Sequence, residues 1–461
     1  MVAFTLDFPW IGLLPFILLL SFLVLFKLDT LILLLAFIVP LSVHFDDVGF
    51  GLGISLPDEP LIIGIMVLVI FKFVIDANYD FTVFKHPITI AILLNLAWLF
   101  ITTCTSDYPV ISLKYFMSRV WYLVVFYFLG MMLFRHYKNI LKYLWLYIIA
   151  LFFVVTFILI KHSQYDFSLL KSYGIVEPFF SDHGVYAATI SLFIPLLACY
   201  ILFYRRMRLN LLQLCIVIFI LATFLIGVYF SYTRAAWIGV IVSACFVIPV
   251  LLKVKFNTVL IILFSTALFG FVFQNQILFV LSKTQQKSQN DGFTNHFQSI
   301  SNIKTDPSNT ERINRWMSAI AMFEDRPVFG FGPGTYSFCY APFQQFKYKT
   351  VISTNFGNGG NSHSEYLNPL AESGLFGLLS FLAIVYFALN SGFRLFLTAK
   401  KFKIRIVSLG ITLGLITYFV HGFFNNYSET DKVGAILWAS FGMIAALDIY
   451  HNKQKIKSAQ Q

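Results

Sequence analysis

Charge is what this chain has least of. Only 12% of its 461 residues are Asp, Glu, Lys or Arg, against about 25% in soluble domains, which excludes an ordinary water-soluble globule. Cysteine is scarce as well: Cys104, Cys199, Cys215 and Cys245 lie in or beside apolar runs, and only Cys339 falls in a long polar interval. The five give no disulfide framework and do not report the redox compartment. There is no His-x-x-x-His, no Asp-x-Asp and no paired-Cys motif, so the sequence predicts neither a metal site nor a cofactor. No phosphate-cradling P-loop is present, and Gly330-x-Gly-x-Gly334 lacks the strand–turn–helix context and reads as a turn. No internal repeat is found, and scattered prolines such as Pro40, Pro195 and Pro249 do not make the symmetric broken helices of a secondary transporter.

What the chain has is apolar length. Hydrophobic residues make up 58% of it, with 54 Phe, and runs long enough to cross a bilayer recur from end to end. The pattern predicts an all-α polytopic membrane protein, since barrel strands give weaker, alternating segments. Expected spans are roughly 9–26, 29–43, 60–76, 87–104, 116–134, 141–160, 184–204, 211–230, 235–252, 256–274, 374–393, 404–424 and 432–449, or 12–13 crossings, the first two being the least separated. The first run starts near Pro9 with no basic flank and no small-residue cleavage site, and reads as a retained helix.

The net charge of +11 does not point to nucleic acid. Basic residues cluster at every second connection: Arg135/Lys138, Arg205/Arg206/Arg208, Lys253/Lys255, Lys400/Lys401/Lys403/Arg405 and Lys453/Lys455/Lys457. The positive-inside rule puts these in the cytoplasm together with the C-terminus, and the alternate connections outside. A count of 13 puts the N-terminus outside and 12 puts it inside.

Three regions follow: an N-terminal bundle (1–273), a polar interval (274–373) and a C-terminal group of helices with a cytoplasmic tail (374–461). About 100 residues are too many for a mere connector. Inside this outer loop, Ser308 and Glu311 have capping-box spacing. Ile313, Trp316, Met317 and Ile320 then form an apolar stripe at helical spacing, and the helix should stop near Pro327. Ser362 and Glu365 repeat the capping-box spacing and predict a second helix with His363 in its first turn. The loop is expected to pack on the membrane face.

His363 is the first candidate for chemistry, because a helix N-terminus disfavours imidazolium and a neutral imidazole can take a proton. Taken alone, it reads first as a surface or interfacial histidine with no task, and the surrounding pattern is what makes it a candidate. Arg312, with Arg315 close by and Trp316 at i+4, offers a fork suited to phosphate, but position alone fits a lipid headgroup or water just as well. Arg234 lies at the outer end of a tight helix–turn–helix, against the charge bias, and is expected to face the bundle interior. Lys114, Arg119 and His183 enter spans at the same outer level and would complete a positive funnel for a pyrophosphate. His421, Asn425 and Asn426 are weaker candidates.

These residues carry a resemblance. His363-Ser364, nine residues, then Gly374-Leu-Phe-Gly377 resembles the His-[Asn/Ser/Gln]-x9-Gly-x-x-[Gly/Thr/Tyr] signature of the O-antigen ligases. Ser231-Tyr-Thr-Arg234 is similar to that family's Ser-x-x-Arg turn, and Arg312-x-x-x-Trp316 followed by the 326–334 segment is similar to its loop helix and Gly-rich turn. The likeness covers residues 180–425, and the N-terminal third only in hydropathy. It implies a GT-C-like glycosyltransferase of the bacterial inner membrane with its large loop and active site at the periplasmic face. The implied donor is a glycan on undecaprenyl diphosphate and the implied acceptor is lipid A-core. On that reading Arg234 and Arg312 bind the diphosphate without a metal, His363 is the general base, and the reaction inverts the sugar centre. The superfamily also contains O-antigen polymerases and protein O-oligosaccharyltransferases. A transporter fits less well, because the spans are nearly charge-free at their centres.

Overall fold

The computed structural model describes residues 23, 26–45, 54–75, 81–252, 254, 256–258, 260–261, 265, 307–349, 353 and 360–452. The expected spans at 9–26 and 256–274, the first third of the outer loop and the basic tail lie almost wholly outside them. Within them the chain is an all-α polytopic membrane protein. Eight helices are long and apolar enough to cross a bilayer: α3 (Pro87–Cys104), α4 (Pro109–Leu133), α5 (Tyr137–Ser163), α7 (His183–Leu202), α8 (Leu211–Phe230), α11 (Leu367–Thr398), α12 (Phe402–His421) and α13 (Asp431–His451). Three further apolar helices are α1 (Leu28–Ile38), α2 (Asp58–Ile75) and α9 (Arg234–Leu251). A short helix, α6 (Leu169–Ile175), precedes α7, and α10 (Pro307–Asp325) lies in the outer loop. A two-stranded antiparallel hairpin, Val43–Phe45 with Ile54–Leu56, occupies a connection that reads in the sequence only as an acidic segment.

Local chemistry sets several boundaries. Proline supplies the first turns of α3 and α4, where its missing N–H has no partner to lose. Asn210 and Gln213 close a reciprocal capping box at the start of α8. The core is built on α7, α12 and α13, which are buried almost all round, while α8 and α11 leave most of their apolar surface facing outward, as expected where lipid replaces water as solvent. The hinges Phe230–Arg234, His421–Asp431 and Asp182–His183 all fall at one end of the bundle. The basic connections after α7 and α11 fall at the other.

Candidate active site

Each site residue is held by an element whose local sequence explains its position. The turn between α8 and α9 is closed by Ser231, whose hydroxyl donates to the Val228 carbonyl and accepts from the Thr233 N–H at 3.2 Å. Tyr232 takes a left-handed backbone (φ 53°) and its hydroxyl donates to the Phe167 carbonyl at 2.7 Å. Arg234 is thereby delivered at the first position of α9.

His363 is delivered differently from the sequence expectation. The helix does not begin near Ser362; α11 starts at Leu367, and His363 sits before it in a left-handed conformation (φ 51°). The reason lies in competing partners. Ser362 is buried, and it is Ser364 whose hydroxyl accepts from the N–H groups of Tyr366 and Leu367. The Glu365 carboxylate is taken by the Tyr418 hydroxyl, the N–H groups of Tyr427 and Ser428 and the Ser428 hydroxyl. A buried carboxylate accepts several such bonds and so ties the 427–428 segment to Glu365, two residues after His363.

Helix α10 clamps the same segment. Trp316 Nε1 donates to the His363 carbonyl at 3.3 Å, and Arg315 donates to the Asn361 carbonyl at 3.0 Å. The Asn361 side chain in turn accepts the His363 N–H at 2.9 Å. The face of α10 that is buried is not its apolar stripe. Its buried face is Glu311, Asn314, Arg315, Ser318, Ala319 and Met322, whereas Ile313, Trp316, Met317 and Ile320 are only half-buried. The Arg315–Glu311 pair (2.9 Å) makes burial of this polar face possible.

The first glycine of the Gly-x-x-Gly signature has a structural task. Gly374 breaks α11 with φ 67° and ψ −166°. A Cβ there would lie 2.1 Å from the Val328 carbonyl oxygen, and the Leu375 N–H donates to the Pro327 carbonyl at 2.9 Å. The facing Gly330 (φ 66°) would strike the Glu372 backbone at 2.4 Å. The Gly-rich turn is thus seated on the kink, with Gly332 N–H donating to the Glu372 carbonyl at 2.8 Å and Trp98 of α3 donating to the Ser373 carbonyl.

Arg234, Arg312, His363 and His183 line one cavity of about 540 Å³, together with Asp182, Tyr173, Asn425, Tyr427 and the 232–235 turn. The other sequence candidates lie elsewhere. Arg119 is buried in α4, paired with Glu429, bonded to the Tyr115 hydroxyl at 3.0 Å and stacked over Trp438. Arg315 braces the 360–361 backbone from beneath. Lys114 is an exposed residue of α4 and does not line the cavity. Among the described residues no group of three or more His, Cys, Asp or Glu is placed to hold a metal.

The electrostatics are uneven. Burial and the charges of Arg315 and Arg312 depress the His363 imidazolium to about 3, with Asp182 acting weakly the other way, so the ring is neutral at physiological pH. Burial would raise the Asp182 carboxyl. The His183 ring (Nδ1 2.7 Å from Oδ1), the Tyr427 hydroxyl (2.6 Å) and the Gly184 N–H more than offset this and hold it at about 2. Asp182, Tyr173 and Tyr427 were not legible as site residues. The one local signal was Asp182 next to His183 at the mouth of a span.

Residues 219–382 match a family model described as O-antigen ligase. That stretch holds Arg234, Arg312, His363 and both signature glycines. The match supports the O-antigen ligase family or superfamily for this chain, and with it a glycosyltransferase-like function of ligase or polymerase type. No curated protein matches the chain.

Proposed function

We propose that the protein transfers a glycan from undecaprenyl diphosphate to a sugar hydroxyl of lipid A-core at the periplasmic face of the bacterial inner membrane. One observation carries the proposal: Arg234, Arg312 and His363, far apart in sequence, line a single cavity at one end of the membrane bundle. The leaving group is a diphosphate, so no acid is needed to protonate it. Its charge must be held, and two guanidinium groups do this with planar forks. Such preorganised charge stabilisation is worth on the order of 10²–10³ in rate.

His363 is neutral and takes the proton of the acceptor hydroxyl, which attacks the anomeric carbon and inverts it. An imidazole whose cation is so disfavoured is a weak base in the empty cavity. A bound diphosphate changes that. A unit negative charge about 6 Å away contributes roughly 3 kcal/mol to the imidazolium at an effective dielectric of 20. The donor therefore arms the base, and it binds before proton transfer. General-base help of this kind adds about 10²–10⁴-fold.

The test is transfer by purified protein in vesicles. His363→Ala should insert and fold normally yet lose transfer by at least ~10²-fold. Arg234→Lys and Arg312→Lys should each lose about as much, since an ammonium does not replace a fork. Normal transfer by His363→Ala rejects the base, and activity in both lysine variants moves the diphosphate elsewhere. The product separates ligase from polymerase: glycan on lipid A-core for the first, a longer chain on the carrier for the second.

A further inference from the structure

The cavity holds more than a diphosphate grip requires. Asp182 is an anion on its wall. A carboxylate beside a diphosphate opposes its binding by like-charge repulsion, which points its use toward an uncharged part of the substrate. It has capacity for one. An ionised carboxylate accepts about four hydrogen bonds, and its protein partners are the His183 ring, the Tyr427 hydroxyl and the Gly184 N–H. Beside it, Tyr173 of α6 is 57% exposed and lines the same cavity, its ring edge-on to the His183 ring with centroids 4.5 Å apart. A rigid aromatic face next to a fixed acceptor matches a pyranose ring, which has an apolar C–H face and a rim of hydroxyl donors.

We propose that Asp182, His183 and Tyr173 form a sugar subsite, in which the Asp182 carboxylate accepts a ring hydroxyl and the Tyr173 ring covers the C–H face. The inference rests on the glycan-transfer reading and deepens it. The cavity then divides by chemistry, with Arg234 and Arg312 serving the diphosphate and Asp182 the sugar. Either the acceptor sugar or the sugar next to the donor diphosphate has the required chemistry.

The experiment uses the full chain in vesicles, with lipid A-core and undecaprenyl-diphosphate glycan prepared from the source bacterium, and inorganic pyrophosphate as a competing anion. Asp182→Asn should raise the KM of one glycan substrate roughly 10–100-fold with little change in kcat, and pyrophosphate should inhibit it as well as wild type or better. Tyr173→Ala, at an exposed position, should raise the same KM. A rise confined to lipid A-core assigns the subsite to the acceptor, and a rise confined to the donor assigns it to the donor sugar. If both variants keep both KM values within about twofold, or if pyrophosphate inhibition weakens in parallel, the subsite is rejected. Wild-type protein that transfers no glycan rejects the functional reading itself, whereas an active wild type with silent variants rejects only the subsite.

Discussion

His363 is crowded by two guanidinium groups, and this makes its pH behaviour unlike that of an ordinary histidine base. A base with an unperturbed pKa of about 6.5 loses rate as the pH falls below neutrality. The His363 imidazolium forms only near about 3 in the empty cavity, so the competent neutral form persists far into acid. For the donor, kcat/KM reports the free enzyme and should stay flat from about pH 8 to 5. At saturating donor, kcat reports a complex in which the diphosphate has raised the proton affinity of the ring, and it should fall at a distinctly higher pH. Coincident falls near pH 6.5 would mean that the arginines do not govern His363. The same scale shows what a sequence can carry. Arg234, Arg312 and His363 stood out because their residue types are out of place beside a bilayer. Asp182 did not, because the adjacent His183 alone does not mark a site, and the Tyr427 hydroxyl that also bonds it comes from 245 residues away, an approach that no local pattern records.

At the scale of elements, the Gly374 kink couples the outer loop to the bundle. Its backbone (φ 67°, ψ −166°) lies in a region used essentially by glycine alone and costs an alanine about 1–3 kcal/mol, and the methyl would also strike Val328. Gly374→Ala should therefore unseat the Gly-rich turn from α11. We expect a lower melting temperature in detergent and a loss of transfer of roughly 10²-fold, since small displacements of positioned groups are expensive in rate. Leu375→Ala, at an exposed neighbour, should melt and react as wild type. Equal behaviour of the two variants would mean that turn and kink are not locked together. Sequence reading caught the elements and missed two of their details for one reason. The Ser362–Glu365 spacing predicted a cap, but Tyr418 and the 427–428 backbone claim Glu365 first. The apolar stripe of α10 marked the helix but not its buried side, which is the paired Arg315–Glu311 face. Both are tertiary partners overriding a correct local pattern.

For the whole molecule, hydropathy was enough to find the eight long spans among the described residues, because a helix in lipid must satisfy its backbone internally and so leaves a long apolar run. Sidedness follows from a weaker signal, the basic clusters, and it decides which substrates the cavity can meet. The cavity lies at the helix ends that open at His183 and Arg234 and close at His421, and Lys400, Lys401 and Lys403 lie at the far ends of α11 and α12. The positive-inside rule puts those lysines in the cytoplasm, and a lipid-linked donor displayed in the periplasm needs the cavity on the other side. In a background with the five cysteines replaced by serine, Glu177→Cys, exposed in the connection that leads into α7, should react with a membrane-impermeant maleimide in intact spheroplasts. Lys400→Cys should stay unlabelled until the membrane is permeabilised. The reverse pattern would turn the cavity to the cytoplasm, reject transfer at the periplasmic face, and leave the arginines and His363 in a site for a different lipid-linked diphosphate.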